Sequence, residues 1–271
     1  MAALRNLENE QVRRAWAKRP DPTPDPIEEE ALRACIRAAF VKADEAGLTE
    51  SAAAVSYVEA AVDFGIGFAT DPLHRWALTA LAGEGSAAER GELLRRAVRV
   101  ADPAFTTSEW RHLESTAEFL REATTGPPAE ALQDFPAALL WHLSPGLRRV
   151  RNLDEVGAAE LIGAAHRTAC QQKVQTSWSP AVFLLRMILW GHACELDPRY
   201  SLIGERAGDP SELLRGCQRY IAENLAIGAA RAGDGAPARR ALPNGRQLLA
   251  IRLDSPLAEA PGLALAYRGS H

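Results

Sequence analysis

Two stretches of the sequence place metal-binding residue types close together. His166 and Cys170 are one helical turn apart, and His192, Cys194 and Glu195 lie within four positions of one another. A structural zinc site requires about four ligands that converge on the ion. Polar-face histidines next to small, core-filling cysteines explain the same residues without a metal. We therefore expect no metal ion and no other cofactor.

Other patterns that could indicate catalysis have simpler structural explanations. Gly65 and Gly67 form a Gly-x-Gly pair, but they end an amphipathic helix, whereas a dinucleotide-binding loop follows a buried strand. The acidic run Glu28–Glu30 fits a first helical turn, where carboxylates complement the helix dipole. The sequence contains no P-loop, GxSxG or HExxH motif. These observations favour a protein that is not an enzyme.

One charged side chain lies in an otherwise apolar segment. Arg186 is surrounded by Phe183, Leu184, Leu185, Met187 and neighbouring apolar residues, which predict a helix that is buried on all sides. A buried guanidinium must be paired or must reach a polar groove. We favour a structural salt bridge to an acidic residue of an adjacent helix, with a ligand contact in a groove as the alternative.

The composition predicts closely packed helices. The chain has 271 residues, of which 47% are hydrophobic but only 6% aromatic, so Ala, Leu and Val dominate the apolar content. A chain of this length buries enough surface to fold without disulfides. The four cysteines are far apart and contain no CxxC pair, and we expect them to be reduced core residues. Five tryptophans are also expected in the core, and any exposed one would be a candidate contact for a protein partner: Trp76, Trp110, Trp141, Trp178 and Trp190.

Charge and hydropathy predict a cytoplasmic protein. The N-terminal stretch is charged where the apolar region of a signal peptide would lie. The most apolar window, residues 181–191, has about half the length of a membrane span, so we expect no membrane interaction. The formal net charge is −4, and the basic residues after Arg231 are not interleaved with aromatic residues. We therefore expect no nucleic-acid binding, whereas a homo-oligomer stays open.

The order of helical patterns and breakers predicts four segments. Residues 1–26 contain a helix and a proline-rich linker, 27–145 a first helical lobe, 146–230 a second helical lobe, and 231–271 a loop with a short β-hairpin or extended tail. The predicted fold is therefore an all-α bundle of several helices in two similar lobes.

Capping signals predict where several helices begin. Thr49 or Ser51 is expected to cap one helix, and Ser86 another. Asp71-Pro72 combines a capping side chain with a residue that is tolerated at the first helical position. Trp76 then follows on the apolar face of the next helix. Pro136 is expected to interrupt a short helix at residues 129–142.

The Asp-Pro corner occurs twice with similar surroundings. The segment Phe64–Pro72 aligns without gaps on Trp190–Pro198, and the alignment matches Gly65 with Gly191, Asp71 with Asp197 and Pro72 with Pro198. A glycine near a helix end lets another backbone approach, and Asp-Pro fixes where the next helix begins. We infer an internal duplication that relates the two lobes by a pseudo-twofold axis. The groove between the lobes would then be a natural binding site.

The first of these corners resembles a known pattern. Gly47–Glu50 followed by Phe64–Ala77 is similar to uncharacterised helical proteins encoded near bacterial type VI secretion and polymorphic-toxin effectors, over about residues 27–81. The pattern there is Phe-Gly-x-x-Phe-x-x-Asp-Pro-x-x-x-Trp-Ala. The resemblance implies an immunity, adaptor or chaperone protein that binds a secreted effector. An enzyme or small-ligand protein that uses the groove between the lobes is the alternative.

Overall fold

The computed structural model is all-α over the residues that it describes. These are residues 2–17, 26–101, 105–125, 135–172, 176, 178–199 and 209–231. Helices account for 83% of them and no strand occurs among them, which confirms the predicted fold class. The predicted β-like tail lies outside the described residues, as does most of the predicted proline-rich linker. Within the same residues, no helix combines the length and the apolar character that a bilayer crossing requires.

Eleven α-helices are present in the described part of the chain, and short 3-10 turns lie between some of them. In chain order they are α1 (Ala2–Ala17), α2 (Pro26–Glu45), α3 (Ser51–Phe64), α4 (Arg75–Ala82), α5 (Ala87–Val100), α6 (Thr107–Thr125), α7 (Phe135–Leu143), α8 (Arg148–Arg151), α9 (Glu155–Gln171), α10 (Ser179–Trp190) and α11 (Pro210–Arg231).

The chain divides into two compact units. The first comprises Met1–Pro103 together with Trp190–Leu202, and the second comprises Ala104–Leu189 together with Ile203–His271. The first unit thus takes up a segment that is remote in sequence and contains the second Asp-Pro corner. The two-lobe arrangement with boundaries at residues 27, 145 and 230 stays a prediction.

The first unit is built around α3. This helix packs against α2 and α5, and α5 also contacts α4. Its core consists of side chains from these helices that are spaced three or four residues apart, as in an amphipathic helix. Fully buried examples are Leu32, Cys35, Ile36, Ala39, Val58, Ala61, Phe64 and Leu94.

The helix ends of the first unit test the predicted caps. Ser86 forms a capping box with Glu89 at the start of α5, which confirms that prediction. The prediction of Thr49 or Ser51 for α3 is wrong, because the capping position is Glu50, whose side chain makes no capping hydrogen bond. Ser51 is already the first helical residue. Gly47 has a φ of 71° after α2, a conformation that glycine adopts without strain.

The second unit pairs α6 with α11, and α7 packs against α6 and α9. Trp110 lies at the centre of an aromatic cluster, with ring centroids 4.8 Å from Phe105 and 5.9 Å from Tyr220. Every residue of α10 is buried, as its apolar sequence predicts. Pro136 is the second residue of α7, where its missing N–H leaves no helical hydrogen bond unmade, and residues 129–134 of the predicted helix lie outside the described residues.

One cysteine prediction is wrong. Cys35, Cys194 and Cys217 are buried free thiols, but Cys170 is exposed. On α9 the buried stripe passes through Leu161, Ala165 and Ala169. Cys170 is turned by about 140° from the middle of that stripe because each helical residue turns by about 100°.

Candidate functional site

The two Asp-Pro corners have the same local geometry. Gly65 has a φ of 96° and Gly191 a φ of 93°. Asp71 adopts φ −79° and ψ 118°, and Asp197 adopts φ −81° and ψ 117°. Both aspartates accept a hydrogen bond from the backbone N–H two residues later, at 2.8 Å for Asp71 and 3.0 Å for Asp197. The predicted capping role of Asp71-Pro72 is therefore confirmed, although a 3-10 turn precedes α4.

The two corners also lie directly against each other. A Cβ atom at Gly65 would lie 2.6 Å from the carbonyl oxygen of Trp190, and one at Gly191 would lie 2.8 Å from that of Phe64. A Cβ atom at Gly67 would clash with the carbonyl oxygen of His192. Only glycine permits this close approach of two backbones. We call the paired segments 64–76 and 190–199 the corner junction.

Each aspartate of the corner junction binds the opposite corner as well as its own. Asp71 is fully buried, and its Oδ2 accepts a hydrogen bond of 2.9 Å from the backbone N–H of His192. Asp197 in turn accepts a hydrogen bond from the backbone N–H of Ile66. Ile66 and His192 occupy equivalent positions of the two corners. The exchange is therefore reciprocal, and it fixes the backbone of both segments.

Arg199 distinguishes the second corner from the first. Its guanidinium binds Asp197 through Nε at 2.9 Å and Nη2 at 2.6 Å. The same group donates to the carbonyl oxygens of Val62 at 2.8 Å and Ala61 at 3.1 Å, which belong to the last turn of α3. A cation at a helix C-terminus satisfies carbonyl groups that lack helical partners. Arg199 thus fastens the second corner to α3.

The electrostatics of this pair follow from its burial. Burial alone acts to raise the pKa of Asp197, but the charge of Arg199 and hydrogen bonds from Arg199 and the Ile66 backbone hold that pKa below its usual value. Cys35 lies nearby, with Sγ 3.9 Å from Oδ2 of Asp197. Burial raises the pKa of the Cys35 thiol to about 12, with the arginine opposing and the aspartate adding to the effect. Cys35 is therefore a protonated thiol and a poor nucleophile at neutral pH.

An aromatic layer supports the first corner. Phe64 contacts Trp76 at 5.0 Å and His74 at 5.0 Å between ring centroids, and Phe68 stacks on Trp76 at 6.2 Å. Such edge-to-face and offset contacts stabilise a core beyond the area that they bury. The predicted motif residue Trp76 is half-buried and closes this layer, whereas Pro72 is buried.

The residues predicted as possible metal ligands occupy different positions in the junction. At its exposed edge, the Thr70 hydroxyl lies 3.2 Å from Nδ1 of the predicted metal-ligand candidate His192. Cys194 is buried, and its Sγ lies 4.0 Å from a carboxylate oxygen of the exposed Glu195. In the part of the chain that the structure describes, no group of three or more potential ligands is arranged to hold a metal ion.

Arg186, the buried cation predicted from the sequence, lies in the second unit. Its side chain has no solvent exposure, and the guanidinium carbon lies 4.9 Å from the centre of the Phe183 ring. This geometry is a cation–π contact within α10. The salt bridge to an adjacent helix stays a prediction.

Several large apolar side chains of the described residues are exposed, including Leu196 within the corner junction. In the first unit, Leu78 on α4 is 40% exposed, and Leu93 and Val100 on α5 are 48% and 87% exposed. We call these three residues the α4–α5 surface. In the second unit, Trp141 is 49% exposed, which corrects its predicted place in the core. Trp110 and Trp190 are buried as predicted, and Trp76 and Trp178 are half-buried.

The sequence singled out the corner residues but not the contacts between them. Reasoning from the sequence missed Arg199 and Cys35, because an arginine after Asp-Pro and a cysteine on an apolar helix face are common structural residues. The signal that was available is the equal spacing of glycine and aspartate in the two segments. Comparison with known proteins gives no matching family model, no similar curated protein and no similar solved structure.

Proposed function

We propose that this chain is a non-catalytic protein-binding module whose binding face is the α4–α5 surface. The observation that carries the proposal is the exposure of three large aliphatic side chains on two helices that pack against each other. Exposed apolar groups that lie together gain free energy when a partner covers them.

The placement of these side chains supports one continuous surface. Leu93 and Val100 are seven residues apart on α5, so both lie on the same helix face, with the half-buried Ala97 and the exposed Arg96 between them. A Cβ atom at Gly83 would lie 4.0 Å from Cδ1 of Leu93, which places that leucine beside the end of α4. Leu78 lies on α4, one turn before that end.

The role that we propose is that of an immunity, adaptor or chaperone protein for a bacterial secreted effector, acting in the cytoplasm. Support comes from the resemblance of residues 27–81 to accessory proteins of effector gene clusters, since this range contains Leu78. An immunity protein inhibits by covering the active site of its effector, and a rigid helical face is suited to this.

We also propose that the two corners are copies of one ancestral segment, as a duplicated chain with two helical lobes would require. The supporting observation is their matched dihedral angles at Gly65 and Gly191 and at Asp71 and Asp197. Reciprocal hydrogen bonds of the kind that Asp71 makes to His192 are expected between related segments that pack symmetrically.

The test is co-purification of the full chain with the products of the genes on either side, followed by co-expression with any toxic product. We expect one neighbour to be captured or neutralised, and Leu93→Asp to abolish this. The matched control is Val41→Asp, which places the same charge at an exposed aliphatic residue of α2. If no neighbour binds, or if both variants act alike, the proposal is wrong.

A further inference from the structure

The exposed tryptophan of the second unit lies near the end of a helix whose preceding residues are buried. Trp141 belongs to the last turn of α7, whose residues from Phe135 to Leu140 are all buried. The backbone N–H of Ser144 donates to the carbonyl oxygen of Trp141 at 3.2 Å, so a tight turn begins here. A tryptophan that is half in contact with solvent keeps a large apolar surface available to a partner.

The segment that follows is rich in arginine. Residues 141–151 contain Arg148, Arg149 and Arg151 and no acidic residue. We call the segment of residues 141–151 the Trp141 corner. Three arginines in eleven residues contrast with the net charge of −4 of the whole chain, although Arg148 is paired with Glu109 of α6.

The guanidinium groups of the Trp141 corner are held in place. Arg151 donates to the carbonyl oxygens of Ser144 at 3.2 Å and Pro145 at 2.6 Å, so its side chain lies over the turn. Arg148 contacts Glu109 at 3.1 Å while half of its side chain stays exposed. The guanidinium carbon of Arg149 lies 4.3 Å from the centre of the Phe105 ring. Such fixed side chains lose little conformational entropy when they bind a partner.

The guanidinium of Arg151 lies over the turn that follows Trp141, because it binds the carbonyl oxygens of Ser144 and Pro145. The Cα atoms of Trp141 and Ser144 are at most about 11 Å apart along the chain. An apolar ring and a cation on one turn are placed to contact the same short peptide segment. Tryptophan and arginine are also the residue types that most often dominate the binding energy of protein interfaces.

We infer that the Trp141 corner binds an acidic segment of a protein partner. The indole of Trp141 would cover an apolar side chain of that segment, and Arg151 would face one of its carboxylates, for which the guanidinium fork is suited. A protein segment fits better than a nucleic acid, because a single strand is bound by several aromatic residues on which successive bases stack. The inference deepens the proposed protein-binding role but depends on a different surface in a different unit.

The test measures fluorescence anisotropy of a labelled synthetic 15-residue peptide of glutamate and leucine during titration with the full chain. A lysine–leucine peptide and a 15-nucleotide oligo-dT serve as comparison probes. We expect the acidic peptide to bind at low salt and to weaken as salt screens the charges, and we expect the lysine peptide not to bind. Equal binding of both peptides, or tighter binding of oligo-dT, would overturn the inference.

Variants assign the binding to this surface. Trp141→Ala and Arg151→Gln are each expected to weaken peptide binding about tenfold, which is the effect of losing one strong interface contact. Val156→Ala and Arg167→Gln alter exposed residues of α9 in the same unit and serve as matched controls. Trp141→Leu, which keeps apolar packing, provides a second variant if the alanine variant is less stable. Unchanged affinity in the Trp141 and Arg151 variants would refute the site.

The same titration separates this inference from the proposed function. Leu93→Asp alters the α4–α5 surface and should leave peptide affinity unchanged. If Leu93→Asp alone abolishes capture of the neighbouring gene product, the α4–α5 proposal stands whether or not the acidic peptide binds. If the Trp141 variants alone lose peptide binding, the inference stands independently.

Discussion

The corner junction and the α4–α5 surface belong to the same unit but use opposite kinds of residue. The junction contains Asp71, Asp197 and Arg199, which are buried and bind one another or backbone groups. The three aliphatic side chains that define the surface are exposed, and Glu92 forms ion pairs with Arg95 and Arg96 on the same helix. The buried ionisable residues of the junction therefore stabilise the fold, whereas the three aliphatic residues are available to a partner.

The reason for this division is the cost of packing two backbones together. Close approach of the corners removes water from several N–H and carbonyl groups, and each needs a replacement partner. The carboxylates of Asp71 and Asp197 supply acceptors to both corners, and Arg199 supplies donors to the end of α3. Residue type alone is thus a poor guide to function where the same groups satisfy a buried backbone.

The largest effect on the junction is expected from Gly67→Ala. The added Cβ would collide with the carbonyl oxygen of His192, and that atom is backbone and cannot move aside cheaply. We expect a loss of about 3 kcal/mol or more in the free energy of unfolding, measured by denaturant titration. Gly83→Ala is the matched control, because its Cβ meets only ordinary contacts of 3.7–4.0 Å. Equal stability of the two variants would show that the corners do not interlock.

Asp71→Ala should have the next largest effect. It removes the acceptor of two backbone N–H groups, those of Leu73 and His192, at a fully buried position. We expect a destabilisation of about 2–4 kcal/mol. Asp209→Ala is the control, since the exposed Asp209 also precedes a proline and accepts a hydrogen bond from the backbone N–H of Ser211 at its own helix start. That variant should lose only about 1 kcal/mol, and thermal unfolding of both would reveal whether the second hydrogen bond matters.

A smaller effect is expected for Asp197, on the way in which the stability of the fold depends on pH. Because its pKa is below the usual value in the folded chain, folding keeps this carboxylate ionised where the unfolded chain, with a pKa of about 3.9, would bind a proton. The stabilisation is present above that value and is lost as pH falls through the folded pKa. Asp197→Asn should therefore flatten the loss of stability between about pH 5 and pH 2.

The control for this experiment is Glu84→Gln, at an exposed residue of the same unit. Denaturant titrations at several pH values give the free energy of unfolding as a function of pH. The slope of that free energy against pH should be that of the native chain for Glu84→Gln and smaller for Asp197→Asn. A slope that Asp197→Asn leaves unchanged would mean that Arg199 does not hold the carboxylate in its ionised form.

The elements of the fold were predictable where a local pattern determines them. Hydrophobic spacing of three and four predicts most helices, and side-chain chemistry identifies the caps at Asp71 and Ser86. The prediction fails where two local solutions compete. Ser51 is a good capping residue, yet it is the first residue of α3, and Glu50 takes the capping position.

The candidate sites were predictable only in part, because they depend on contacts between distant segments. Alignment of Gly65 with Gly191 indicated two equivalent corners, but nothing local shows that each aspartate binds the opposite corner. Trp141 has the same residue type as the buried Trp110, and its exposure results from packing of the helix end. Burial of a single large residue is decided by tertiary structure rather than by its hydropathy.

The most direct test of this division of roles is the stability of Leu93→Ser/Val100→Ser measured beside Asp71→Ala under the same denaturant conditions. If the α4–α5 surface serves binding and the corner junction serves the fold, the double surface variant should retain its free energy of unfolding within about 1 kcal/mol. Asp71→Ala should lose clearly more. A loss in the surface variant that equals or exceeds that of Asp71→Ala would contradict the account, because these aliphatic side chains would then belong to the core.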